Sequence, residues 1–296
     1  MMVLDQEHGE DWSLYNGDSA EVLRGIPDDS IHLGVTSIPF SSLYCYSPSD
    51  RDAGNSTTQQ FWQHMAFITR EWYRVTMPGR DICVHVQQLP MTLGVDGVIG
   101  LRDFRGETIR HFIEHGWVYH GEACVQKDPQ QQAIRTHSKS LLFVQLHKDS
   151  SWMRPAFADY VLIFRKPGEN PIPVLNDLSN EEWIQWAKPI WLWDGIRESD
   201  TLNVAEARSE EDERHICPLQ LGTIERCIRL WSNPGETVID PFSGLGSVPY
   251  QAVKLDRRGI GIELKPEYYR TSVNNLRRVS ADKHRPTLFD AIGAAS

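Results

Sequence analysis

Cysteine is scarce in this chain: Cys45, Cys83, Cys124, Cys217 and Cys227 lie far apart and form no C-x-x-C pair. That excludes a disulfide framework and a zinc site built on paired thiolates, and it fits a reducing compartment. No apolar run approaches the roughly 20 residues that a bilayer-spanning helix needs, and Met1 to Gly9 is acidic and polar, so neither a membrane span nor a signal peptide is expected. His111 and His115 stand four apart, but as His-Phe-Ile-Glu-His they lack the base position of a His-Glu-x-x-His metal helix. Structural or surface roles are expected for them, and no metal. Positive charge is short as well, with a formal net charge of −10. Nucleic-acid affinity comes largely from phosphate neutralisation, so a protein basic over its whole surface is excluded. The balance is uneven, however. Acid runs lie at Asp5 to Asp11 and Ser209 to Glu213, while Arg102, Arg105, Lys127, Arg135, Lys139, Lys148 and Arg154 gather in the middle, which allows a basic groove on an acidic body.

What is present reads as alternating strand and helix. Trp12 to Tyr15 and Ile31 to Val35 are strand-like runs, with a short helix Ala20 to Arg24 between them. Apolar residues at helical spacing run from Thr58 to Val75, stopped by Pro78-Gly79 before the strand Ile82 to Val86. A second helix and strand follow at Phe104 to His115 and Trp117 to Val125, and a further strand at Tyr160 to Arg165. Such alternation predicts a Rossmann-like α/β fold, a mainly parallel sheet with helices on both faces. Residues 126–154 are polar, basic and Gln-rich, and 168–208 are rich in Pro, Asn, Asp and Trp with no clean period. The second stretch is a candidate insertion into the alternating pattern, or an aromatic cluster packed under a loop. Residues 41–58 form a long polar loop beside the first strand ends, a candidate lid.

Two strand ends carry the chemistry. Thr36-Ser37-Ile38-Pro39-Phe40 ends one apolar run, and Asp240-Pro241-Phe242-Ser243-Gly244-Leu245-Gly246 ends another. From Val238 to Glu263 the chain reads strand, glycine turn, helix and strand, closed by a carboxylate. Glycines after a strand let a ligand approach the backbone, and an acid at the next strand tip can accept from ribose hydroxyls. The spacing is not G-x-G-x-x-G, because Pro249 stands where the third glycine would be.

These words, with Gly261-Ile262-Glu263-Leu264-Lys265-Pro266-Glu267-Tyr268-Tyr269, Asn16-Gly17-Asp18-Ser19, Val75 to Arg80, Tyr160 to Pro167 and His215 to Gln220, resemble the amino-group DNA methyltransferases. The resemblance spans most of residues 12–278, in the beta-class order of catalytic motif, recognition segment and cofactor motif. The middle of the chain, with Asp103 to Glu107 and Lys127-Asp128-Pro129, is similar to bacteriophage methylases. It implies a seven-stranded sheet, S-adenosylmethionine as cofactor, double-stranded DNA as substrate, a homodimer, and a cytoplasmic location in a bacterium or a phage-infected host. By that resemblance Asp18, Asp240, Phe242, Ser243, Gly244, Gly246 and Glu263 bind cofactor. Ser37 and the carbonyl of Ile38, followed by Pro39, accept the two amine hydrogens, and Phe40 stacks on the base. Lys127, Arg135, Lys139 and Arg154 are the candidate DNA contacts. Serine at position 37 favours cytosine N4 over adenine N6. Ile38 departs from the family's proline, which leaves a catalytically silent relative as the alternative; an RNA or small-molecule N-methyltransferase would share the cofactor site. Cys217 precedes its proline, so carbon-5 methylation through a Pro-Cys nucleophile is discounted. Residues 280–296 are expected to be a flexible tail, and the likeness of Pro286 to Asp290 to clamp-docking peptides is taken as incidental, with no clamp partner expected through Leu288 and Phe289.

Overall fold

The computed structural model describes residues 3–39, 58–91, 93–136, 143–175, 177–192, 196, 199–203 and 218–283. Phe40, the 41–57 part of the candidate lid, Lys139 and the tail beyond 283 lie outside the described residues, as does the side chain of Arg135. In chain order the first half holds β1 (Val3–His8), β2 (Trp12–Gly17), α1 (Ser19–Val22), β3 (Leu33–Ser37), α2 (Thr58–Val75), β4 (Asp81–Gln87), β5 (Leu89–Met91), α3 (Leu93–Asp96), β6 (Gly100–Arg102), α4 (Phe104–Glu114) and β7 (Val118–Val125). The second holds α5 (Pro129–Thr136), α6 (Phe143–Lys148), β8 (Asp159–Arg165), α7 (Asn180–Trp186), β9 (Ile190–Trp191), α8 (Leu221–Trp231), β10 (Thr237–Asp240), α9 (Ser247–Lys254), β11 (Arg258–Glu263) and α10 (Pro266–Lys283).

The main sheet runs β1-β2-β11-β10-β3-β4-β8-β7-β9. Strands β2, β11, β10, β3 and β4 are parallel, and β8 enters antiparallel between β4 and β7. Those are the seven strands the resemblance implies, with one more at each edge. β1 pairs antiparallel with β2, and the two-residue β9 pairs with the end of β7. The acidic, mostly exposed β1 shows no apolar period. It forms because the outer edge of β2 offers unpaired backbone groups that a neighbouring segment can satisfy.

Side chains alternate across the sheet with period two, so each strand feeds two cores. On one face Ile82, Val84, Val86 and Phe164 meet Phe61, Met65, Ile68 and Trp72 of α2 and Phe112 of α4. On the other, Leu33, Val35, Cys83, Val161 and Val238 meet Ile224, Cys227 and Ile228 of α8 and Val248 and Ala252 of α9. A third cluster packs α10 through Tyr269, Val273, Leu276 and Val279 onto Trp12 and Leu14 of β2. With both faces covered, the edge at the carboxyl ends of the parallel strands is where polar side chains of several strands converge.

Candidate active site

That edge gathers the tips of β2, β11, β10, β3 and β4. Register places Glu263 beside Asn16 and Ser37 beside His85. On the β2 side, Asp18 caps α1 by accepting from the Ala20 N–H at 2.9 Å, and its Oδ1 lies 3.9 Å from His64 Nε2. Asn16 donates to the carbonyls of Glu263 (2.8 Å) and Leu264 (3.0 Å), fixing the tip of β11 against β2. The Glu263 carboxylate accepts from the N–H of Gly244 (2.8 Å) and of Lys265 (2.7 Å), which pins the glycine turn over the strand tip.

The two glycines of the turn have different reasons. Gly246 has φ +82°, and a Cβ there would come within 2.9 Å of the Ser272 Cβ; it is packed against α10. Gly244 has φ +53°, and a Cβ there would meet nothing within 4 Å, so the space above it is open for a ligand. Ser243 is turned away from that space: its hydroxyl is buried over Gly261, and its N–H donates to the Ile262 carbonyl at 2.9 Å. An open turn rimmed by two acids fits a nucleoside-bearing cofactor.

Asp240 does something else. Its carboxylate is buried and accepts from the Thr36 hydroxyl at 2.5 Å and the Phe242 N–H at 2.9 Å. Burial pushes its pKa up to about 7; the two donors pull the other way, and the charge of Glu263 adds to the rise. Thr36, fully buried on β3, thereby fastens the strand carrying the tetrapeptide to the strand carrying the glycine turn, 204 positions away.

From Ser37 a polar chain runs across the sheet. Ser37 Oγ lies 2.9 Å from His85 Nδ1, His85 Nε2 lies 3.0 Å from Asp159 Oδ2, and Lys127 Nζ lies 2.6 Å from the same Asp159 oxygen. Period-two alternation explains the line-up. Ser37 continues Leu33 and Val35, His85 continues Cys83, Asp159 precedes Val161, and Lys127 follows Ala123 and Val125, all on the α8 face. Burial alone would raise the Asp159 carboxyl, but His85 and Lys127 hold it below the usual carboxylate range. The Ile38 side chain is buried in the opposite core, beside the α2 cluster, and Pro39 is half-buried.

Lys127 is the correction among the expected DNA contacts. Its side chain is 7% exposed and paired with Asp159, so its ammonium serves the interior and not a phosphate. A basic residue in a polar stretch of sequence reads as surface, whereas the end of β7 carries this one inward. Arg154 lies with its guanidinium 3.8 Å over the Phe157 ring and donates to the Pro155 carbonyl at 3.1 Å. It borders a cavity of about 520 Å³ that Lys127, Gln130, Met153, Phe157 and Ile190 also line. In the 168–208 stretch, Trp186 and Trp191 pack as the aromatic-cluster reading describes: the Arg226 guanidinium stands 5.5 and 5.4 Å over their rings, and Trp191 donates to the Trp186 carbonyl at 2.9 Å. Trp183 is exposed. His111 is structural, bonded to Thr69 at 2.9 Å and in tilted ring contact with His115, with its pKa lowered to about 4 by burial and by His115. Among the described residues no cluster of His, Cys, Asp and Glu could hold a metal, and no helix is long and apolar enough to cross a membrane. Sequence reasoning did not find His85 and Asp159. The available signal was a histidine near the end of an apolar strand and an aspartate opening one.

An open, mainly parallel sheet with a glycine turn and acids at adjacent strand tips is the Rossmann-like arrangement of nucleotide-cofactor enzymes. The chain belongs to the N6/N4 DNA methylase family, the site-specific DNA amino-methyltransferases, whose model matches residues 31–274. It is 34% identical to the type II methyltransferase M.BglI of Bacillus subtilis over 151 residues, a match covering 51% of this chain and 36% of that relative. The type II methyltransferase M.Cfr9I of Citrobacter freundii is 24% identical over 283 residues, covering 89% and 87%. The fold is shared with the protein TTHA0409 of Thermus thermophilus, solved in complex with S-adenosyl-L-methionine (TM-score 0.66, 22% identity, 90% and 93% covered). It is shared equally with the cytosine-N4-specific PvuII DNA methyltransferase (TM-score 0.63, 20% identity, 92% and 91% covered).

Proposed function

We propose that this protein moves a methyl group from S-adenosylmethionine to the exocyclic amine of a DNA base, with cytosine N4 favoured over adenine N6. The observation that carries this reading is the Thr36 to Asp240 bond, which brings the tetrapeptide strand and the cofactor strand to one edge with their tips in contact. When bound, the cofactor supplies an electrophilic methyl group on a sulfonium. The open turn at Gly244 and the acids Asp18 and Glu263 would hold it.

An amine conjugated to a base ring is a poor nucleophile because its lone pair is delocalised. Acceptors that draw both amine hydrogens localise that pair toward the methyl group, and fixed in-line geometry supplies much of the remaining advantage. Ser37 Oγ and the Ile38 carbonyl are the acceptors in this reading. Pro39 restricts residue 38 to extended conformations even without the family's proline at that position. Ile38 does not intrude on the site, since its side chain is committed to the core. A base reaches such a site by leaving the duplex, at a cost of a few kcal/mol. Residues 126–154, which follow the carboxyl end of β7, and the 168–208 stretch, whose strand β9 pairs with that end, are the segments we assign to target recognition.

Incubation with label-bearing cofactor and unmodified DNA, then digestion to nucleosides, should yield labelled N4-methylcytosine. Labelled N6-methyladenine would change the base but keep the reaction. Label in RNA alone, or cofactor binding with no label transferred, would overturn the reading. Ser37→Ala should remove transfer and spare cofactor binding.

A further inference from the structure

We propose that His85 is a positioning and proton-relay residue: held by Asp159, it takes the Ser37 hydroxyl hydrogen on Nδ1 and keeps the Ser37 oxygen turned as an acceptor toward the target amine. This rests on the role given to Ser37 above.

A serine hydroxyl has one hydrogen and two lone pairs, and left to rotate it can present either to a substrate. A methyl-accepting amine needs only the lone pairs. His85 removes the ambiguity if its Nδ1 is the acceptor, which requires the ring hydrogen on Nε2. Asp159 favours that arrangement: its ionised carboxylate lies 3.0 Å from Nε2, out of line for a well-aligned N–H bond but close enough for its charge to draw the ring hydrogen to that nitrogen. Lys127, 2.6 Å from the same oxygen, in turn stabilises that ionised form within a buried setting. The chain Lys127, Asp159, His85, Ser37 therefore has one consistent set of donors and acceptors, and it ends with the serine oxygen open to the site.

The same chain provides for the proton that the reaction must lose. As the new carbon–nitrogen bond forms, the carbon–sulfur bond breaks with its electron pair left on sulfur, and the amine nitrogen carries a positive charge and one hydrogen too many. That proton passes to Ser37 Oγ while the serine's own proton passes to His85 Nδ1. The resulting imidazolium has its Nε2–H against the Asp159 carboxylate, and it later returns the proton to water.

Two measurements test this on the full-length protein. Nitrogen-15 NMR of labelled histidines should show His85 protonated at Nε2 with Nδ1 as a hydrogen-bond acceptor; a neutral ring protonated at Nδ1 would overturn the proposal. His85→Asn places an amide oxygen near the position of Nδ1, so it can still orient the serine but cannot take its proton. We expect kcat to fall by about 10²-fold, with KM for DNA and affinity for S-adenosylhomocysteine unchanged. In a Ser37→Ala background the same change should cost nothing further. A His85→Asn enzyme whose kcat stays within about threefold of the parent would refute the relay. Absence of any methyl transfer by the parent protein would instead refute the activity proposed above, and the NMR tautomer still decides separately whether His85 holds the serine hydrogen.

Discussion

Asp240 combines a buried charge with two donors, and the balance leaves its carboxyl with a pKa of about 7. In the unfolded chain it titrates near 4. The folded state therefore binds the extra proton between those values, so this group's contribution to stability is full below about pH 4 and is lost as pH rises through about 7. Asp240→Asn should remove that dependence while keeping an oxygen for Thr36 and Phe242. Urea unfolding from pH 4 to 8 should show the variant gaining on the parent as pH rises, by at most about 4 kcal/mol at pH 8. A parent and variant that run parallel across the range would contradict the assignment. Asp240 and Glu263 were legible from sequence because each closes an apolar run, and Asp18 was legible only through the family resemblance. His85 and Asp159 were not, because their meaning arises only when β4 pairs with β8, and no local pattern announces that pairing.

At the scale of elements, the glycine turn separates packing from binding. Gly246→Ala puts a methyl against Ser272 and Leu276 in a left-handed backbone, so it should destabilise the fold by about 1–3 kcal/mol. Gly244→Ala meets open space, and its folding cost should be only about 1 kcal/mol of backbone strain. It would nevertheless project into the proposed cofactor site, so titration calorimetry with S-adenosylhomocysteine should show affinity lost in a protein that still melts cooperatively. Thr36→Val, which keeps shape and removes the bond to Asp240, should cost about 1–3 kcal/mol in chemical denaturation. Helices α2 and α4 and strands β4, β7 and β8 were readable from apolar period and punctuation. β1 has no period to read, and β9 is two residues long and exists only because β7 has an edge for it. α10 buries Tyr269, Val273, Leu276 and Val279 as a narrow stripe within a polar sequence, which is faint until β2 and α9 are placed beneath it.

For the whole molecule, a net charge of −10 means that DNA must be engaged locally. Lys127→Met should leave the salt dependence of DNA binding unchanged, since the ammonium is already spent on Asp159. It should cost about 3–5 kcal/mol in stability by stranding a buried carboxylate. Arg154→Ala should instead reduce the slope of log affinity against log salt by about 1, with little effect on melting. Fluorescence anisotropy over a salt series, paired with thermal melts, reads both. Sequence alone treated these two residues alike, because the number of charges in a stretch says nothing of which one a strand end carries inside.

The position of β3 between β10 and β4 has a consequence for synthesis. A chain emerging from the ribosome offers its serine-bearing strand early, yet the neighbour that completes one side of that strand arrives only with residues 237–240. Until then the tetrapeptide strand stands without the strand that carries the glycine turn, so under the proposed activity a product terminated before residue 240 would transfer no methyl group.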